Sequence, residues 1–153
     1  MMKLFQRKHQ LQLVAPVGGL VVDIRKSPVK TDAVGLGIEP MVGEIQAPLA
    51  GTVTQLSPQN VTIRGTHNCE VTVQLGQPEA NVAFNAFSWN VAVGDHVDDS
   101  TLLANMDLNA LHEANQATTI TCIITNQQPS DFEIEKRGLV SQGGVIERCK
   151  IRA

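Results

Sequence analysis

The chain has 153 residues, is 42% hydrophobic and carries a formal net charge of −3. That size suits one domain with a core of its own, and the mild acidity gives no sign of the basic surface that nucleic-acid binding normally needs. Three cysteines, an odd number at irregular spacing, argue against a disulfide framework and fit a reducing compartment.

Only 3% of residues are aromatic, none is tyrosine, and 12 glycines and 7 prolines are scattered throughout. With abundant Val, Ile and Thr, this predicts many short strands in an all-β sandwich or barrel. Residues 1–10 carry Lys3, Arg7 and Lys8 beside Leu4 and Phe5. They read as a solvated tail with at most weak, peripheral membrane contact. There is no apolar h-region and no apolar run near the roughly 20 residues of a membrane span, so a cytoplasmic location is expected. Residues 11–153 read as the folded domain. Leu11 to Ile24 reads as strand, turn, strand, and Ile45 to Leu56 repeats the design. Ala15-Pro16-x-x-Gly19 matches Ala47-Pro48-x-x-Gly51, with Val21 matching Val53. Proline fixes φ at the strand edge and glycine permits the reversal after it, so the pair suggests an internal duplication. Gly35 to Pro40 is a further strand between the two copies.

Pro58 to Gly76 reads as one β-hairpin. Val61, Ile63, Cys69, Val71, Val73 and Leu75 alternate with Thr62, Arg64, Glu70, Thr72 and Gln74, the period of a strand with one buried face. Gly65 to Asn68 supplies the turn, using the backbone freedom of Gly and Asn. Gln59 and Gln74 then share one end of the hairpin. A simple register points them to opposite sides, and a bend before Asn60, imposed by Pro58, lets them converge.

Gln77 to Asn90 is a mixed connection containing Phe84, Phe87 and Trp89. Val93 to Val97 is a turn into a strand. Leu102 to Leu108 is apolar, and Asp107 caps a short helix running to about Ala117 with Leu108 and Leu111 inward. Thr118 to Thr125 is a strong strand. Ser130-x-x-Glu133 has the form of a capping box opening a short helix that ends at Gly138. Val145 to Ile151 is the last strand.

The hairpin resembles the active-site hairpin of the glucose-type enzyme IIA proteins of the bacterial phosphotransferase system. Similar motifs follow in the same order along nearly the whole chain: APxxGxV at Ala15 to Val21, GLGIEP at Gly35 to Pro40, APxxGTV at Ala47 to Val53, VGDxV at Val93 to Val97, and the Thr118 to Asn126 strand. The resemblance implies a sandwich of antiparallel sheets, a barrel-sandwich hybrid with a duplicated half-barrel motif and one or two short helices. It implies protein partners, HPr-like or sugar-permease components, with no cofactor, no metal and no small-molecule substrate.

The departures bear on function. The family's two active-site histidines, the second being the phosphate acceptor, fall on Gln59 and Gln74. A threonine that helps orient them falls on Ser57, and an aspartate falls on Pro78, beside Glu79. The family's apolar docking ring corresponds to a face of Gln55, Thr72, Leu75 and Glu79, in which Gln55 and Thr72 stand where the family has phenylalanine. An imidazole nitrogen, with a pKa near 6.5, is a free nucleophile at neutral pH. A carboxamide is not: its nitrogen lone pair is delocalised and its oxygen is a weak acceptor. The expectation is a degenerate phosphotransfer site whose two amides hydrogen-bond to each other, in a protein that acts by binding.

The remaining histidines do not replace the pair. His67 lies in the hairpin turn, roughly 23 Å from Gln74 at about 3.3 Å per residue, and His9, His96 and His112 read as solvated or half-packed. His67-x-Cys69 is too small a set for zinc, and Cys122 and Cys149 read as core fillers. No His-x-His occurs, as lysostaphin-like metallopeptidases on a related half-barrel require. Asn105-Met106-Asp107 offers no carrier lysine of the lipoyl or biotinyl kind. Two other readings stand beside the first: a working phosphocarrier with an unrecognised acceptor, and an interaction module with no tie to sugar uptake.

Overall fold

The computed structural model describes residues 9–29, 34–78, 86–125, 132–134 and 138–151. The strands in chain order are β1 (His9–Val14), β2 (Gly19–Asp23), β3 (Val34–Pro40), β4 (Glu44–Gln46), β5 (Gly51–Leu56), β6 (Asn60–Arg64), β7 (Glu70–Leu75), β8 (Phe87–Trp89), β9 (His96–Val97) and β10 (Leu102–Met106). The helix α1 (Leu108–Glu113) follows, and then β11 (Ile120–Ile124), β12 (Phe132–Ile134), β13 (Gly138–Val140) and β14 (Val145–Ile151). Eight strands form one antiparallel sheet in the order β13-β2-β3-β11-β7-β6-β5-β9, and two three-stranded sheets, β1-β14-β12 and β4-β10-β8, complete an all-β architecture. Between them lies a core of Val, Ile and Leu, with Leu13, Leu36, Ile38, Ile45, Ile63, Leu75, Leu103 and Ile120 fully buried. Among the described residues no helix is long and apolar enough to cross a membrane.

The two Ala-Pro units pack as a pair related by a local two-fold. The Val14 N–H donates to the Pro48 carbonyl at 2.9 Å, and the Gln46 N–H donates to the Pro16 carbonyl at 2.8 Å. Each repeat thus satisfies a backbone donor with the other's proline carbonyl, and Ala15, Val17, Ala47 and Leu49 are buried between them. The glycines that follow serve the same purpose in each copy. A Cβ on Gly19 would fall on the Glu39 carbonyl and meet the Ile38 side chain; one on Gly51 would fall on the Arg64 carbonyl and meet the Ile63 side chain.

Several sequence expectations need correction. β1 starts at His9, so the strand takes in the last two residues of the segment read as a tail; residues 1–8 lie outside the described residues. Phe132–Ile134 is a strand paired with β14, not the helix that the Ser130-x-x-Glu133 pattern suggests. A capping box needs apolar residues at helical spacing behind it, whereas Phe132 and Ile134 alternate about Glu133. Gly138, at φ +81, opens β13 rather than closing a helix. α1 is capped by Asp107, whose side chain accepts from the Ala110 N–H at 3.0 Å, but it stops at Glu113. Asn115 adopts φ +54, and the Gln116 N–H reaches back to the Leu111 carbonyl at 2.8 Å, a closure of the left-handed type that ends a helix. Leu111 is buried as expected.

A buried polar cluster covers the outer face of the large sheet beside β3 and β11. Asp23 caps a 3-10 turn over Ile24–Lys26, and its bonds to Arg25 hold its carboxyl down at about 2. The chain after this turn lays Ser27 over Gly37, whose missing side chain leaves the room. Ser27 Oγ then meets Thr121 Oγ1 at 3.0 Å and accepts from the Val29 N–H at 3.0 Å; Ser27 is 2% and Thr121 0% exposed. Ser27→Ala strands two polar groups and Thr121→Val strands one. Urea unfolding is therefore expected to show a loss of about 1–3 kcal/mol for Ser27→Ala and a smaller one for Thr121→Val, with the slope unchanged.

Candidate functional site

The site sits at the open end of the β6–β7 hairpin. The register is the one the apolar alternation predicts: Val61 opposes Val73, Thr62 opposes Thr72, and Asn60 opposes Gln74. The reversal at the far end is a 3-10 turn over Thr66–Asn68, with Asn68 at φ +58. Asn carries the left-handed conformation there; Gly65 is extended, at φ −92 and ψ −161. His67 belongs to this far turn, five cross-strand pairs from Asn60 and Gln74. Cys69 and Cys122 are buried in the core.

At the near end Pro58 interrupts the ladder. The Ser57 N–H donates to the Asn60 carbonyl at 2.9 Å, and Ser57 Oγ accepts from the Asn60 N–H at 3.2 Å. This small turn swings Gln59 across the end of β7. Its backbone carbonyl accepts from the Leu75 N–H at 2.7 Å. Its side-chain Nε2 donates to the Leu75 carbonyl at 3.1 Å and to the Gln77 carbonyl at 2.9 Å. Gln74, 5% exposed, donates through Nε2 to the same Leu75 carbonyl at 3.3 Å. Its Oε1 accepts from Asn60 Nδ2, also at 3.3 Å. The two glutamines therefore converge, but no hydrogen bond joins them directly as the sequence expectation had it. β7 ends at Leu75, and Gly76 turns away at φ +68. The Leu75 carbonyl offers both amides a closer acceptor than either offers the other.

Ser57, Pro58, Gln59, Asn60, Gln74 and Pro78 line a cavity of about 410 Å³. The Trp89 indole N–H donates to the Pro58 carbonyl at 3.0 Å and holds that wall in place. Among the described residues no charged side chain lines the cavity. The sequence does not mark Asn60 or Trp89 as site residues. Asn60 follows from the hairpin register, because placing Val61 against Val73 sets Asn60 against Gln74. Trp89 does not follow from that register, since its strand pairs with β10 and not with the hairpin.

The remaining expected face residues fall in different places. A bulge between Val53 and Gln55 in β5 sets Gln55 opposite Thr62, so Gln55, Thr62 and Thr72 form one cross-strand row. By the two-residue period of a strand, this row shares its sheet face with Asn60 and Gln74. Gln55 is exposed. Thr72 is half-buried and bonded through Oγ1 to Thr62 Oγ1 at 2.9 Å. Leu75 does not belong to this face: its side chain is 0% exposed, because it points to the core side of β7, and only its carbonyl serves the site. Glu79 and Phe84 lie outside the described residues. His96 is exposed, with Nδ1 2.9 Å from Thr52 Oγ1, and His112 is exposed on α1.

Comparison with known proteins agrees with this fold. The family described as phosphoenolpyruvate-dependent sugar phosphotransferase system, EIIA 1, matches residues 11–130. A PTS system glucose-specific EIIA component of Halalkalibacterium halodurans is 30% identical over 121 residues, covering 74% of this chain and 70% of that protein. A glucoside-specific EIICBA component of Staphylococcus carnosus is 27% identical over 138 residues; the match takes in 86% of this chain but only 20% of that longer protein. The solved structure of glucose permease IIA from Mycoplasma capricolum superposes with a TM-score of 0.81 at 22% identity, covering 92% of this chain and 96% of that one. Motif order, fold and sequence similarity agree: the chain belongs to the glucose-type EIIA family of the phosphoenolpyruvate-dependent sugar phosphotransferase system.

Proposed function

We propose that this EIIA homologue carries no phosphate at Gln59 and Gln74 and acts in the cytoplasm by binding a protein partner, an HPr-like or sugar-permease component. The observation behind this reading is how the two carboxamides are used. Both N–H groups of Gln59 are spent on backbone carbonyls, and Gln74 is held between Asn60 and Leu75. A carboxamide has no basic nitrogen at any accessible pH, so no environment turns either side chain into a phosphoryl acceptor. The pair instead fixes the end of the hairpin, each hydrogen bond contributing about 1 kcal/mol. The scaffold that presents the face is kept and the nucleophile is not, which favours binding over transfer.

The test is incubation with phosphoenolpyruvate, enzyme I and HPr, followed by intact-mass measurement. The expected result is an unmodified chain, whereas a stoichiometric phosphoryl adduct overturns the proposal and favours a carrier with another acceptor. Pull-down separates the remaining readings. Recovery of HPr or a sugar permease supports a role tied to sugar uptake, and recovery of an unrelated target supports a separate interaction module.

A further inference from the structure

We infer that the cavity at the end of the hairpin binds a neutral, polyhydroxylated small molecule. This goes beyond the proposed function and stands whether or not the chain binds a protein partner. The inference comes from the hydrogen-bonding capacity that the walls leave unspent. Gln74 is 5% exposed, and Nε2 spends one of its two N–H groups on the Leu75 carbonyl. The second N–H has no protein acceptor among the described residues. Asn60 spends one Nδ2 N–H on Gln74, which leaves its second N–H and its Oδ1 open. Gln59 spends both N–H groups, which leaves its Oε1 open. Ser57 Oγ accepts from Asn60 N, which leaves its O–H free to donate. Three donors and two acceptors thus remain around a cavity of about 410 Å³, within the range of about 300–1,000 Å³ found for small-molecule sites.

The mixture sets the class of ligand. An anion needs donors or cations, and here it meets two open amide oxygens and no Lys or Arg among the lining residues. A cation needs carboxylates or several converging oxygens, and no carboxylate lines the cavity among the described residues. An apolar ligand would bury a Gln74 N–H without a partner, at a cost of about 1–3 kcal/mol. A hydroxyl both donates and accepts, so a molecule with several hydroxyls can satisfy both the open amide oxygens and the open N–H groups. The rings of Pro58 and Pro78 at the wall supply apolar surface for the C–H face of such a molecule.

The chain provides its own reporter. Trp89 is its only tryptophan and there is no tyrosine, and the Trp89 indole is bonded to the Pro58 wall. Titration of the full chain with sorbitol, and separately with inorganic phosphate, is followed by Trp89 emission and by calorimetry. The expected result is a saturable response to millimolar sorbitol, none to phosphate, and at least tenfold weaker sorbitol binding in Gln74→Leu. Should that variant fail to fold, Asn60→Ala is expected to weaken binding in the same sense. Polyols also act on proteins by exclusion from the surface, but that effect is unsaturable and the same in every variant. An unsaturable response equal in the wild type and the variants overturns the inference, as does tighter binding of phosphate than of sorbitol. These readouts are independent of the intact-mass test, so either proposal can fail alone.

Discussion

Gly19→Ala and Gly51→Ala are each expected to destabilise the fold by on the order of 4 kcal/mol, the upper end of what single substitutions do. The cause is not backbone freedom, since neither glycine has a positive φ. A methyl group at either position would overlap a backbone carbonyl oxygen, that of Glu39 or that of Arg64, and press on the side chain of Ile38 or Ile63. Both isoleucines are 0% exposed, so neither has room to withdraw. Relief requires β2 to part from β3, or β5 from β6, and each of those pairs is continuous with the β11–β7 centre of the large sheet. Against a total stability of about 5–15 kcal/mol for a domain, either change removes a large share. Equilibrium unfolding in urea measures it. Because the two glycines occupy matching places in the duplicated units, their costs are expected to be similar. A loss below about 1 kcal/mol at either position would mean that the strands there part more freely than the packing indicates.

This pair also shows what the sequence made legible. The Ala-Pro-x-x-Gly repeat is visible in one dimension because each position admits few residues: proline fixes φ at the strand edge, and only glycine leaves room for the neighbouring strand's carbonyl. The exchange of N–H donors between Val14 and Pro48, and between Gln46 and Pro16, leaves no mark on residue identity, since any residue but proline can donate. The hairpin register was legible for the same reason as the repeat, because one misplaced residue would turn Val61, Ile63, Val71 and Val73 to solvent. The fate of the two glutamines was only half legible. Their meeting followed from Pro58, but their shared acceptor is a main-chain oxygen, and a carbonyl has no letter in a sequence. The strand at Phe132–Ile134 was misread because a four-residue capping pattern carries little information without helical spacing behind it.

The Gln59→His, Gln74→His double variant is expected to remain a poor phosphate acceptor from HPr. Restoring imidazoles supplies nucleophiles with pKa values in the neutral range. It does not restore the two aromatic rings that the resemblance places on this face, so a donor seats itself more weakly than on a family member that has them. The row beside the site is polar: Gln55 is exposed, and Thr72 is tied to Thr62 by a 2.9 Å hydrogen bond. The resemblance places phenylalanine at both positions in the family. Burying one such ring at an interface contributes about 1.5–3 kcal/mol. Two rings together then account for about 3–6 kcal/mol, roughly a hundredfold to ten-thousandfold in affinity. Adding Gln55→Phe and Thr72→Phe to the double variant is therefore expected to raise the rate of phosphorylation well above that of the double variant alone, although Thr72→Phe forfeits the bond to Thr62. Single-turnover transfer from phosphorylated HPr, read by intact mass, compares the two. If the double variant alone accepts phosphate as fast as a histidine-bearing member of the family, the docking face is competent as it stands. The two glutamines then account for the whole departure from phosphate transfer.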